Sequence, residues 1–319
     1  PLPAFDSPEP LLHLRAAFTD RPPTSTRLPV SYQLIPSPLR RTIARTIGLM
    51  KRNSTNQWAR FPRWPVDLSA DFVSDLCGAT RPAFTEGPTP VILTHDIDTL
   101  EGLGNLVDMF LPIEEDFGAH STNYIVPFAW PLDHSLLGQI VDRGHGIGIH
   151  GFDHANQTPF CSPERRRERL EAAKPLMDQY SITGYRSPSL LRTKELLGDL
   201  AEIYTYDSSI PTTGGLFPVP NTGCATARPF KFDGILEIPI SMPRDASMRF
   251  LSYSPARIFQ MWRQTAEFIS RSGGVVVLLT HCEKVYSGNK PMLETYRRFL
   301  EFLADSETFR WSTPEELFI

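Results

Sequence analysis

From Val91 onward the chain alternates short β-rich runs with stretches of helical spacing. The runs are VILTH (91–95), TNYIV (122–126), IGIH (147–150), ITGYR (182–186), IYTYD (203–207), ILEIPI (235–240), VVVLLTH (275–281) and TFRW (308–311). Their β-branched and aromatic residues suit a pleated surface. Between them, Leu136, Leu137, Ile140 and Val141 mark one face of a helix that Gly144 stops. Ser254-Pro255 opens another, carrying Ile258, Phe259, Trp262, Ala266 and Ile269 and ending near Gly273-Gly274. A third is marked by Met292, Leu293, Tyr296, Phe299, Leu300 and Leu303. Pro175 interrupts the stretch from Pro163 to Tyr180, so a short or kinked helix is expected there. Seven or eight such units predict a parallel (β/α) barrel of seven to eight strands, complete or incomplete; an open doubly wound sheet is the alternative. No GxGxxG or Walker A pattern follows any of the runs, which argues against nucleotide binding.

Before Pro90 this alternation is absent. Residues 1–88 are expected to form a Pro-rich, irregular extension, and residues 89–319 the barrel domain. The extension has one clear element, SPLRRTIARTIGLMKR, with Ser37 as N-cap and Pro38 at the first helical position. Ile43, Ile47 and Met50 make an apolar stripe, surrounded by Arg40, Arg41, Arg45, Lys51 and Arg52. The reading preferred is that the stripe packs on its own protein; an anionic membrane surface is the other occupant such a helix can have.

Composition narrows the classes. With 319 residues, 41% hydrophobic and 21% charged, the chain can bury a large core. A net charge of −4 offers no basic excess for nucleic acid, so a neutral or small substrate is expected. The longest apolar run, VVVLL before Thr280, is far short of the roughly 18 residues of a membrane helix. No signal-peptide pattern follows Pro1, and because the chain does not begin with Met, its compartment stays open, as does its oligomeric state. Cys77, Cys161, Cys224 and Cys282 lie far apart without CxxC spacing and read as buried small residues.

The polar residues that stand out fall at the carboxyl ends of the predicted strands. His95, Asp96 and Asp98 follow the first, and His150 through His154 follow the third. Arg186 closes the fourth, Asp207 the fifth and His281 the seventh. A parallel barrel gathers these ends on one face, where active sites are built. HGFDH holds two histidines four apart, and a carboxylate from THDID would add an oxygen ligand. Two nitrogens, one oxygen and a water describe a catalytic rather than a structural zinc site. The spare carboxylate, Asp96 or Asp98, is then available to take a proton from that water.

In this order, THDID, GHGIGIHGFDH, YRSP, YDSS and LLTHCE resemble the NodB-homology polysaccharide deacetylases, carbohydrate esterase family 4. The resemblance runs from about Val91 to the C-terminus. It implies a distorted (β/α) barrel and a divalent metal, commonly zinc, held by Asp98, His150 and His154. It also implies Asp96 as catalytic base, Arg186 as the cation that keeps the base ionised, and His281 as general acid. Asp207 would be an acid near His281. Three departures accompany it: Ile97 separates the two acids, Ser189 stands where a tyrosine usually follows the proline, and YDSSIP continues without Trp. Ser189 can still offer its backbone N–H to an oxyanion.

Of the remaining polar residues, His95 is expected to hydrogen-bond within the site. Asp153 either orients a ligand histidine or caps a turn, and His145, at the far end of its strand, reads as structural. Glu237 and Asp245 also read as structural. The function implied is hydrolysis of an N-acetylated carbohydrate, with two rivals. One is a related amide hydrolase acting on a small cyclic ureide, in some cases without metal; the other is a catalytically silent carbohydrate-binding protein.

Overall fold

The computed structural model describes residues 87–318 apart from 213–222, 225 and 272, together with residues 18, 22, 35–36, 38–39, 42–43, 45–47 and 49–50. β1 (Thr89–Ile97) leads into a helical run made of α1 (Leu100–Asn105), a π-helical turn (Leu106–Phe110) and α2 (Leu111–Glu115). Thr99 caps this run by accepting a hydrogen bond from Gly102 N. β2 (Ser121–Ile125), α3 (His134–Asp142) and β3 (Gly146–Ile149) follow. Next come α4 (Pro163–Glu171) and α5 (Lys174–Tyr180), two short helices as Pro175 requires. β4 (Gly184–Tyr185), α6 (Lys194–Leu200) and β5 (Tyr206–Asp207) complete the first half. The second half runs β6 (Phe230–Phe232), β7 (Ile235–Glu237), α7 (Asp245–Phe250), α8 (Pro255–Arg271), β8 (Val276–His281), α9 (Lys290–Ala304) and β9 (Phe309–Trp311).

The strands lie in the order β6-β7-β5-β4-β3-β2-β1-β8, with β9 beside the start of β1. All these pairings are parallel except β6–β7, an antiparallel hairpin. Its turn is Asp233-Gly234, both at positive φ, an Asp-Gly signal that announces the hairpin and the strand FKF, which periodicity alone passes over. Between β7 and β8 the sheet is joined by irregular chain: Met242 N donates to Val277 O (3.1 Å), and Val277 N donates to Ser241 Oγ (2.8 Å). The result is the distorted parallel (β/α) barrel that the strand–helix alternation predicts.

Strand alternation divides the core. Val91, Leu93 and Ile97 of β1 face the helices, joining Phe110, Leu137, Trp262 and Phe299. Ile92 faces inward with Tyr124, Tyr206, Leu236, Val277 and Leu317. Thr94 and Asp96 share the inward side and lie toward the carboxyl end, so the barrel interior delivers them to the site.

Among the described residues before 87, Phe18 rests on Phe232, ring centroids 5.4 Å apart. Residues 38–39, 42–43, 45–47 and 49–50 are helical, as the sequence predicts, but Ile43, Ile47 and Met50 are exposed. Against the described residues the stripe is left largely open, not the packed face that the preferred expectation called for. Ser37, Arg40, Arg41, Lys51, Arg52 and Cys77 lie outside the described residues. The other three cysteines are unpaired. No described helix is long and apolar enough to cross a membrane.

Candidate active site

Arg186 is the first residue to place. It leaves β4 wholly buried, its guanidinium 4.0 Å above the Tyr124 ring. Nη1 donates to Asp96 Oδ1 (3.0 Å) and Thr94 Oγ1 (2.9 Å). Nη2 donates to Ser208 Oγ (2.8 Å) and Nε to the Ser208 carbonyl (3.0 Å). The room for this stack comes from Gly148 on the neighbouring strand: a Cβ there would sit 2.5 Å from the Tyr124 ring. Burial works to raise the Asp96 pKa, but His150, Arg186 and His281 together hold the carboxyl below its ordinary value.

Asp98, His150 and His154 each turn one ligand atom toward the others, all within 4.8 Å. Asp98 Oδ1 lies 3.3 Å from His154 Nε2 and 3.5 Å from His150 Nε2, and His150 Nε2 is also 3.5 Å from Asp96 Oδ2. His150 Nδ1 faces the Arg186 carbonyl at 3.0 Å, so that nitrogen carries the proton and Nε2 turns a lone pair toward two carboxylates. Burial pushes the His150 pKa down, which keeps the ring neutral. Lone pairs converging in a partly buried place fit a divalent cation, and two imidazole nitrogens with one carboxylate oxygen are a donor set that suits catalytic zinc. The turn that presents His154 is tight. His154 is left-handed (φ 56°), and Gly151 (φ 70°) passes so close to Pro188 that a Cβ would sit 2.4 Å from its ring.

His281 ends β8 directly beside Asp96 in the parallel register. Its Nδ1 meets Asp245 Oδ1 at 2.8 Å, and its backbone N donates to Asp245 Oδ2 (2.8 Å). Burial alone would lower the His281 pKa; the Asp245 carboxylate, with Asp98 and Asp96 beyond it, outweighs burial and raises it to about 10.

Several expectations are redirected here. Asp207 is not the acid beside His281; Asp245 is. Asp207 instead accepts from Ser209 Oγ (2.6 Å), which accepts from Ser187 N (2.8 Å), so it supports the turn carrying Ser187 to Ser189. Burial raises the pKa of both Asp207 and Glu237 behind that turn, where Glu237 Oε1 accepts from Ile210 N (2.8 Å). Ser189 is exposed at the rim in a left-handed conformation (φ 53°), its Oγ held by Asn156 Nδ2 at 3.1 Å. His95 does not enter the site. Alternation turns it outward, where it bonds Glu114 Oε1 (2.7 Å) and Thr280 Oγ1 (2.8 Å) beneath the helices. Asp153 caps its turn, accepting from Ala155 N (3.0 Å) and pairing with Arg169. His145 is structural, accepting from Ser121 N at 3.0 Å. Beyond Asp245, sequence reasoning also missed Glu283, which accepts from Asp98 N (3.1 Å) and Thr99 Oγ1 (3.0 Å) and so fixes the turn bearing Asp98. Its place two residues after His281, in the quoted LLTHCE, was the available signal.

Residues 85–202 match the family model described as polysaccharide deacetylase. Three solved structures are similar in fold. The Mycobacterium smegmatis protein named as a polysaccharide deacetylase is 19% identical, covering 75% of this chain and 92% of that one (TM-score 0.58). Puue allantoinase is 14% identical, covering 75% and 93% (TM-score 0.59). A Pseudomonas aeruginosa PAO1 protein, also named as a polysaccharide deacetylase, is 13% identical, covering 75% and 94% (TM-score 0.58). No curated protein matches in sequence.

Two outcomes are expected from this geometry. The protein should take up about one divalent ion per chain, and His150→Ala with His154→Ala should abolish that stoichiometry, measured by elemental analysis after gel filtration. A double variant that still holds one equivalent would rule the site out. The second outcome concerns pH. A general acid works only while protonated, so activity falls as pH rises through its pKa. Asp245→Asn removes the largest influence raising His281, so the alkaline limb of kcat should move to lower pH, by roughly one unit or more. An unmoved limb would separate His281 from proton donation.

Proposed function

We propose that this chain, whose residues 85–202 match the polysaccharide deacetylase family model, is a metal-dependent hydrolase that removes N-acetyl groups from an amino sugar or short glycan. The observation that carries the reading is the His150 ring. Its Nδ1 is committed to the Arg186 carbonyl, and its Nε2 is aimed at Asp98 and Asp96 beside His154. A divalent ion held by Asp98, His150 and His154, zinc by its donor set, would supply Lewis acidity to the acetyl oxygen and acidify a water.

The chain's own residues then divide the proton work. Asp96, kept ionised by Arg186, accepts a proton from the attacking water. The N–H of Ser189, an exposed residue, would donate to the oxyanion that attack creates. His281, charged through its contact with Asp245, donates to the nitrogen as the carbon–nitrogen bond breaks, because an amide anion would be a very poor leaving group. Water is consumed; acetate and a free amine leave. Asp245 holds the imidazolium upright but touches no substrate.

The test is acetate release from a panel of N-acetylated sugars by the metal-loaded protein, alongside Asp96→Asn and Asp98→Asn. Asp96→Asn should keep its metal while kcat falls by a factor on the order of 10² or more. Asp98→Asn should lose metal. The reverse pattern would exchange the two roles. Ring opening of a cyclic ureide without acetate release would replace the proposed reaction.

Chain length gives a separate outcome. The tyrosine and tryptophan found in the family's motifs are replaced by Ser189 and by the continuation Ser208-Ser209, which removes apolar platforms for sugar rings. Short or terminal N-acetylated glycans should therefore be turned over faster than long polymers. Equal rates of acetate release on a polymer and on its short oligomers would contradict this.

A further inference from the structure

The helix before the barrel carries a feature the active site does not use. Leu39, Ile43, Ile47 and Met50 recur at helical spacing and are 52%, 47%, 40% and 78% exposed. At about 100° per residue they fall within one arc of roughly 80°. Arg45 lies on the far side and is exposed, and Thr42 and Thr46 border the stripe, their hydroxyls bonded back to the Pro38 and Thr42 carbonyls. By the same spacing Arg41 falls opposite the apolar arc and Arg40 just beyond its edge, and Lys51-Arg52 follow Met50.

Charge along the chain is segregated around this helix. From residue 21 to residue 66 there are nine Arg or Lys and no Asp or Glu. The remaining residues carry 23 basic against 36 acidic side chains, so the chain's net charge of −4 conceals a strongly positive segment on a negative protein. Trp58, Phe61 and Trp64 alternate with Arg60 and Arg63 in the same segment. Amphipathic aromatics beside cations are the composition of a bilayer's headgroup level.

We propose that this helix is an interfacial docking element that seats the enzyme on an anionic lipid bilayer, with the apolar stripe entering the acyl boundary and the arginines meeting lipid phosphates. Charge complementarity chooses the occupant. A second copy meeting it helix to helix would bring the same positive charge, and the acidic barrel of a second copy would meet the arginines but offers, among its described residues, only Leu100, Phe128 and Val141 as exposed large apolar side chains for the stripe. A nucleic acid would satisfy the arginines but would leave the four aliphatic side chains in water. A bilayer satisfies both faces at once. Docking would hold the catalytic barrel near a membrane surface.

The experiment is flotation of the full chain with phosphatidylcholine vesicles, with and without about 30 mol % phosphatidylglycerol. Wild type should bind the anionic vesicles at least about tenfold better than the neutral ones, and added salt should weaken that binding. Ile43→Glu with Ile47→Glu should reduce binding about tenfold or more while leaving the thermal midpoint and metal content unchanged, because both side chains are exposed. Arg40→Glu, Arg41→Glu and Arg45→Glu together should abolish the preference for anionic lipid. The proposal fails if neutral and anionic vesicles bind alike, or if the double glutamate variant binds as wild type does. It fails equally if that variant lowers the thermal midpoint, since the stripe would then be packed on the protein. Binding to a DNA duplex with none to vesicles would assign the segment to nucleic acid instead.

Discussion

The site depends on burying one guanidinium. Arg186 has no exposed surface, and a cation without water is tolerated only when its donors are engaged and an anion lies beside it. Its partners come from different strands: Thr94 and Asp96 from β1, Tyr124 from β2, and Ser208 just past β5. The arginine therefore ties together strand ends that would otherwise be free to splay. Removing either partner of such a buried pair typically costs about 3–5 kcal/mol. The same residue acts on the chemistry twice. Its side chain keeps Asp96 ionised, and its carbonyl fixes the His150 tautomer.

Two histidines on one barrel face thus acquire opposite characters from what touches Nδ1. His150 Nδ1 meets a neutral carbonyl, burial keeps the ring uncharged, and Nε2 is left as a ligand. His281 Nδ1 meets the Asp245 carboxylate, which favours the charged ring and leaves a proton to give. Neither role is encoded by the histidine itself. Neighbouring groups that push the pKa values apart make the assignment.

What sequence reveals follows from which interactions are local. Strand ends are legible because hydrophobic runs stop where polar residues begin, and the motifs at Asp96, Asp98, His150, His154, Arg186 and His281 fall there. Helix breaks at Pro175 are legible for the same reason. His95 is misread because its neighbours in sequence are site residues, whereas strand alternation turns it to the other face, onto Glu114 and Thr280. Asp207 and Asp245 are exchanged for a deeper reason. Which acid reaches His281 depends on contacts 36 residues apart in sequence, and no local pattern separates the two. The short strand β6 is a different kind of omission, since Asp233-Gly234 marks its hairpin plainly.

Asp245 also explains why the barrel departs from regularity. β7 ends at Glu237, and the chain from Ile238 to Met242 runs irregularly beside β8, bonded through Ser241 and Met242 to Val275 and Val277. This path brings the start of α7 behind the end of β8. There Asp245 accepts from His281 N, Ser287 Oγ and Ala246 N while its carboxylate faces the imidazole. Those donors satisfy a buried acid in place of water. A regular strand and crossover would set the next helix against the outer face of the sheet. The irregular path keeps the chain at the rim long enough to deliver a carboxylate beneath the histidine. Distortion of the barrel and protonation of His281 are therefore one structural decision, made by the course of residues 238–245.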